Sequence, residues 1–260
     1  MAARVFDDDG WVTALPPGSL SLVLDFDGTL VDIAPTPDSV VVEPGLTETL
    51  SALVEQGHGL VILTGRSARF IVERTGLPIA RVVGLHGLEW PGEPPLARRP
   101  SVDRAVRAVN DALARAGGAP RGFLIEDKEQ AVAFHWRLVA DDARASVVDT
   151  VARALATVDD PELSVLDGHM MKELRPRAAS KGRAIARLAR EGVARGDTRP
   201  LVFVGDDVTD EEGFAALPSS GVGVRIAPFD VATRASLVVR TPRAVRAGLA
   251  RLVSGARQNG

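Results

Sequence analysis

Two hundred and sixty residues, 45% hydrophobic and 25% charged, suffice for one large domain or a core with a smaller companion, and that apolar share excludes global disorder. A formal net charge of −3 gives no general attraction to nucleic acid or to an anionic membrane. With no cysteine, the chain has no disulfide, no thiolate metal ligand and no thiol nucleophile.

The first ten residues carry Asp7, Asp8 and Asp9 and no apolar stretch, so no secretion signal is expected there. The longest apolar runs, such as 60–63 and 201–204, fall far below the ~20 residues of a membrane span, and a cytoplasmic location is expected. A strand is predicted at 20–24, ending abruptly at Asp25-Phe26-Asp27-Gly28-Thr29-Leu30. A helix at 45–56, a strand at 60–63 ending in Thr64-Gly65-Arg66, a helix at 68–75 and a strand at 81–85 follow. Short apolar strands alternating with helices predict a parallel sheet with helices on both faces.

The middle of the chain changes character. The proline-rich stretch 91–100, with Arg98 and Arg99, reads as a solvated linker. Beyond it a helix at 101–116 carries Val102, Ala105, Val106, Val109 and Leu113 at helical spacing. Strands at 122–127 and 131–138 flank a turn at Lys128, and a helix at 141–158 is expected to take Asp141 as its N-cap. Strands at 163–166 and 170–175 flank Asp167-Gly168, a hairpin signal. The α-β-β-α-β-β order makes residues 101–176 an inserted α+β module, with 1–100 and 177–260 forming the α/β core. The core pattern then returns: a helix at 181–191 after Ser180, a strand at 201–204, a helix at 210–217, strands at 222–226 and 237–239, and a basic C-terminal helix. That last helix is read with Val245, Leu249 and Leu252 facing inward. Trp90 and Trp136 are read as packing residues.

Three polar clusters follow core strands: Asp25/Asp27, Thr64/Arg66 and Asp206/Asp207. Ligands of open parallel sheets bind beyond the carboxyl ends of the strands, so these clusters are expected to meet. A single Asp after a strand is usually a turn former or a helix cap, but three such clusters on successive strands are poorly explained that way. Crowded carboxylates raise one another's pKa unless a cation compensates, and a donor set of mostly oxygens with no cysteine suits a hard cation, Mg2+ first. Lysines are scarce, only Lys128, Lys172 and Lys181, and Lys181 is placed to hold a phosphoryl group. A carboxylate nucleophile, a divalent cation, a lysine and oriented amides fit phosphoryl transfer.

In order along the chain, Asp25-Phe-Asp-Gly-Thr, Thr64-Gly-Arg66, Lys181-Gly182 and Gly205-Asp-Asp-Val-Thr-Asp-Glu211 resemble the four signature motifs of the haloacid dehalogenase-like (HAD) phosphatases. Gly84-x-His86-Gly87-x-Glu89, Glu126-Asp-Lys128, His135-x-Arg137 and Glu173-Leu-Arg-Pro176 narrow the resemblance to the trehalose-6-phosphate phosphatase family, over residues 20–226. Outside that span, the N-terminal residues and the last ~30 add little to it.

The resemblance implies a HAD-like Rossmannoid core with an inserted cap that closes over the site and reads the sugar. It implies Asp25 as nucleophile, Asp27 as acid and then base, and Thr64 and Lys181 on the phosphoryl oxygens. Mg2+ would be held by Asp25, the Asp27 carbonyl and Asp206, with Asp207 and Asp210 orienting ligands from behind. Arg66, His86, Glu126, Lys128, His135, Arg137, His169 and Glu173 would contact substrate; the competing reading is of solvated sheet residues, a satisfied His86 and an Arg66 paired with a nearby acid.

Two departures bear on the sugar: Leu85 stands where the family commonly has Asn, and His169 where it commonly has Lys. The expected activity is hydrolysis of trehalose 6-phosphate. Alternatives are another sugar or pseudo-disaccharide (cyclitol-containing) phosphate, a sugar phosphomutase, or a non-catalytic sugar-phosphate sensor. The expected partner is the small-molecule substrate alone, with no nucleic acid, no membrane and a monomeric chain.

Overall fold

The computed structural model describes residues 3–78, 81–94, 96–168 and 170–256. The elements in chain order are β1 (Arg4–Phe6), β2 (Ser21–Leu24), α1 (Leu46–Glu55), β3 (Gly59–Leu63), α2 (Ala68–Thr75), β4 (Val82–Val83), α3 (Pro100–Arg115), β5 (Leu124–Asp127) and β6 (Val132–His135). They continue with α4 (Asp141–Leu155), β7 (Leu163–Gly168), β8 (Met171–Pro176), α5 (Lys181–Ala194), β9 (Leu201–Gly205), α6 (Val208–Ala215), β10 (Val222–Ile226), β11 (Leu237–Val239) and α7 (Pro242–Ala256).

The chain divides into two compact units, one of Met1–Ala34, Asp38–Glu93 and Ser180–Gly260, the other of Pro35–Pro37 and Pro94–Ala179. The 94–99 stretch goes with the second unit because Arg98 is tied into it. Its guanidinium pairs with Asp103 at 2.8 Å and Asp127 at 2.7 Å, so Arg98, read as part of a solvated linker, is fastened to this unit.

In the first unit, seven strands form a wholly parallel sheet in the order β1-β11-β10-β9-β2-β3-β4. Both faces are covered, which is why the central strands carry apolar residues at consecutive positions and not only at alternate ones. Leu22, Leu24, Ile62, Val202 and Val204 face a layer that includes Leu50 and Leu53 of α1, Ile71 of α2 and Val245 and Leu249 of α7. Val23, Leu63 and Phe203 face the other way, onto Ala184 and Ile185 of α5 and Phe214 of α6.

The N-terminal residues take a larger part than their slight contribution to the family resemblance suggests. β1 pairs in parallel with β11, and the Trp11 ring is fully buried, its Nε1 donating to the Ala244 carbonyl at 3.1 Å. Three residues beside an acidic run are too short for a strand pattern to be read, and a 3-10 turn over Asp9–Ala14 carries the Trp.

The second unit has the expected α-β-β-α-β-β order, folded as an antiparallel sheet β5-β6-β8-β7. Val132, Phe134 and Leu174 pack against Val102, Val109 and Leu113 of α3 and Val147 and Val151 of α4. Trp136 belongs to this core, as expected.

Two local expectations are corrected here. Ala140 is the N-cap of α4; Asp141 lies inside the helix and its carboxylate pairs with Arg144 at 2.7 Å. Asp167 and Gly168 remain in β7, opposite Lys172 and Met171, so the reversal falls after Gly168, and Met170 takes the left-handed conformation (φ 60°).

Candidate active site

Asp25 follows β2, Thr64 follows β3 and Asp206 follows β9, and these three strands are neighbours in the sheet. Their loops therefore open side by side at the carboxyl edge. Lys181 enters from the N-terminus of α5, which Ser180 caps by accepting the Arg183 N–H at 3.3 Å. Gly182 lets that helix come close: a Cβ there would sit 2.8 Å from the Glu212 carbonyl oxygen of α6.

The Lys181 ammonium lies 2.8 Å from Asp25 Oδ1 and 2.7 Å from Asp210 Oδ1, with all three side chains buried. Asp25, Asp206 and Asp210 each bring an oxygen within 4.8 Å of the others, a set able to hold a metal ion. Asp210 is already committed, however, because its second oxygen accepts the Asp207 backbone N–H at 2.9 Å. It therefore braces Lys181 and the start of α6, where Asp207 is the N-cap.

Asp206 reaches across to the nucleophile loop. Thr29 Oγ1 donates to Asp206 Oδ1 at 3.3 Å, and Gly28, at φ 71°, leaves the space the carboxylate fills. A Cβ at position 28 would lie 2.1 Å from Asp206 Oδ2.

Burial pushes the Asp25 carboxyl well above the usual carboxylate range; Lys181 pulls against this, while Asp210 and Asp206 add to it. Burial and Asp210 push Asp206 up to about 7, against the pull of Lys181. Burial opposes the charge on Lys181, but Asp210 and Asp25 outweigh it and hold the ammonium protonated. The cluster thus has more carboxylates than one lysine can neutralise, the electrostatic state of a site that takes a cation.

Thr64 is buried, and its hydroxyl accepts the Arg66 backbone N–H at 3.1 Å. The Arg66 side chain forks onto Asp27, with Nε to Oδ2 and Nη2 to Oδ1 both at 2.8 Å. Beyond β4 the chain turns sharply where the sequence suggests strand through 85. Leu85 (φ 47°) and His86 (φ 54°) are both left-handed, and the His86 N–H donates to the Thr64 carbonyl at 2.8 Å. His86 is thereby held beside Thr64. Glu89 fastens the turn by accepting the Ala68 N–H at 2.6 Å, a role not assigned from the motif.

One further residue of this unit escaped the sequence reading. Arg225 donates to the Asp207 carbonyl and lies 3.8 Å from Glu211. Glu211 in turn accepts Thr233 Oγ1 at 2.7 Å and the Arg234 N–H at 2.8 Å. One signal was available: an arginine in the apolar strand 222–226.

In the second unit, the pairing puts Glu126, Ala133 and Glu173 in one row and Leu124, His135 and Met171 in the next, on the same sheet face. Lys128 Nζ donates to Glu173 Oε2 at 2.6 Å and lies 3.9 Å from Glu126. His135 Nε2 is 3.0 Å from Glu126 Oε2. Arg137 lies just past the end of β6. His169 lies outside the described residues.

The family model described as trehalose-phosphatase matches residues 23–242. The chain belongs to that family. A probable trehalose-phosphate phosphatase of Sinorhizobium fredii is 34% identical over 97% of this chain and 91% of its own length. The trehalose-6-phosphate phosphatase of Escherichia coli is 33% identical over 82% of this chain and 78% of its own. Among solved structures, a trehalose-6-phosphate phosphatase related protein aligns with TM-score 0.69 and 27% identity, over 92% of this chain and all of that one. The C-terminal domain of the Candida albicans trehalose-6-phosphate phosphatase aligns with TM-score 0.76 at 22% identity, covering 91% of this chain and 92% of that one, a likeness of fold. A haloacid dehalogenase-like hydrolase of Bacteroides thetaiotaomicron shares the fold at TM-score 0.61 and 17% identity, over 92% of this chain and 99% of that one. The trehalose-phosphatase family accounts for nearly the whole chain, and its members are phosphoric monoester hydrolases of the HAD fold.

Proposed function

We propose that this chain hydrolyses trehalose 6-phosphate to trehalose and inorganic phosphate through an aspartyl-phosphate on Asp25. The observation that carries the reading is the buried Asp25–Lys181–Asp210 triad with Asp206 alongside, built from residues far apart in sequence. An Asp25 oxygen attacks phosphorus while the phosphorus–sugar oxygen bond breaks, and Asp27 gives its proton to the departing oxygen. Asp27 then takes a proton from water as that water attacks the phosphoaspartate and restores Asp25. Two easier displacements replace one hard one. Lys181 and the Thr64 hydroxyl hold the phosphoryl oxygens while charge develops.

Mg2+ is the proposed cofactor, with Asp25, the Asp27 carbonyl and Asp206 as ligands and Asp207 and Asp210 supporting them. The excess of buried carboxylate over lysine suits a divalent cation. When bound, such a cation neutralises phosphate charge and keeps Asp25 ionised as a nucleophile.

Sugar recognition falls in this reading to Arg66, His86, Glu126, Lys128, His135, Arg137, His169 and Glu173. Carboxylates and fixed cationic donors are what a hydroxyl-covered ligand needs. No helix among the described residues is long and apolar enough to cross a membrane, and we place the enzyme in the cytoplasm as a monomer. Leu85 and His169, where the family commonly has Asn and Lys, favour one second reading: the phosphate of a related sugar or pseudo-disaccharide.

Phosphate release from trehalose 6-phosphate, other hexose phosphates and disaccharide phosphates, with and without chelator, tests both readings. Activity should be highest on trehalose 6-phosphate, vanish with chelator and vanish in Asp25→Asn. Turnover that survives Asp25→Asn overturns the mechanism, and a strong preference for another sugar phosphate overturns the substrate.

A further inference from the structure

Asp27 lies two residues beyond Asp25, and its side chain meets Arg66. The fork engages both Asp27 oxygens at 2.8 Å. Each oxygen of a carboxyl has two in-plane positions, so a two-bond fork takes one on each, fixes the plane of the group and leaves one on each oxygen to hold or take a proton. The Asp27 side chain is 34% exposed, so those sites are open to a reactant. A planar five-donor guanidinium can set that orientation where an ammonium cannot.

Arg66 is itself held. Its backbone N–H is bonded to Thr64 Oγ1 at 3.1 Å, and its carbonyl accepts the Leu85 N–H at 2.9 Å. Its guanidinium carbon lies 4.5 Å from the centroid of the Phe70 ring. Phe70 sits on the first turn of α2, where Ser67 accepts its N–H at 3.3 Å, and it packs against the sheet core. A second guanidinium, that of Arg74, lies over the same ring at 5.2 Å and is anchored to the Asp38 carbonyl at 2.9 Å. A chain of contacts thus runs from a core-packed ring through Arg66 to Asp27.

We propose that Phe70 is a positioning residue for the reaction: its ring holds the Arg66 guanidinium in the plane from which it forks Asp27, and so aims the carboxyl that delivers and retrieves the proton. The proposal rests on the reading of Asp27 as acid and base given above. Without the ring, Arg66 samples more rotamers and Asp27 turns with it. The loss falls on the step that needs an aimed proton, not on substrate binding.

Leaving-group dependence separates this from a merely structural role. A sugar alkoxide must be protonated as it departs, whereas p-nitrophenolate leaves without a proton. In single-turnover measurements, Phe70→Leu should slow phosphoryl transfer from trehalose 6-phosphate about two- to fivefold, the rate equivalent of one exposed cation–π contact. Its KM and the first-step burst with p-nitrophenyl phosphate should be unchanged. Phe70→Tyr, which keeps the ring, should restore the sugar-phosphate rate. Phe70→Met, which keeps apolar bulk but loses the ring face, should show the same selective defect at about two- to fivefold and covers the case of a Phe70→Leu protein that does not fold. Equal slowing of both substrates by Phe70→Leu and Phe70→Met, or a change in KM alone, overturns the proposal. Asp25→Asn must abolish both reactions; if it does not, the function proposed above has failed and not this inference.

Discussion

Replacing Lys181 with methionine keeps most of the unbranched stem and deletes the charge. In the parent the ammonium is 2.8 Å from Asp25 and 2.7 Å from Asp210, and both carboxylates are buried. Removing one partner of a buried ion pair strands the other, at a cost of about 3–5 kcal/mol. At roughly 2 °C per kcal/mol for a chain of this size, the metal-free variant should melt about 6–10 °C below the parent near pH 8. The stranded carboxylates can escape the penalty by taking up protons, so the deficit should shrink near pH 5. Lys181→Met combined with Asp210→Asn removes one stranded charge and should melt above the single variant. Thermal unfolding followed by circular dichroism in chelator, at both pH values, reads all of this. A single variant that melts within about 2 °C of the parent near pH 8, or with the same deficit at both pH values, would refute the account of the triad.

The parent itself should depend on pH in a defined direction. Asp25 and Asp206 have carboxyls raised above their ordinary value, Asp206 to about 7, so the folded protein holds these protons more firmly than the unfolded chain. The stability they contribute is complete below the ordinary carboxylate range and is lost as pH rises through the raised values. Melts in chelator should fall from about pH 5 to about pH 8, and Mg2+ at the upper end should restore the loss; a flat profile refutes the assignment. Gly28→Ala forces a left-handed backbone on a side chain whose Cβ would meet Asp206 at 2.1 Å. Calorimetric titration with Mg2+ should show affinity lowered about 10- to 100-fold, with the melting temperature in chelator changed far less.

What could be read from the sequence, and what could not, follows from range. Asp25, Thr64 and Asp206 each terminate a short apolar run, and the rule that parallel-sheet ligands lie beyond the strand ends brings them together without coordinates. Lys181 followed from its helix start and from the scarcity of lysine. The partner of Arg66 did not follow: nothing local distinguishes an arginine that forks Asp27 from one that meets a phosphate. Phe70 looked like any apolar residue on a helix face, since its service to Arg66 depends on ring position. The sequence suggests a supporting role for Asp210 but not its partner: the contact with Lys181 is set by how α5 packs on α6. The shift of the turn past Gly168 is a matter of register, which turn residues alone fix only within a residue or two.

The large sheet finishes at both sides in very short strands, three residues in β1 and two in β4. A longer bare margin would be a template on which a second chain could lay its own backbone. Here β1 covers β11, and Trp11 nails the segment after it to α7 through the Ala244 carbonyl. Either rim of this large sheet offers a newcomer only a few amide groups, which leaves little backbone on which a second such sheet could be laid edge to edge.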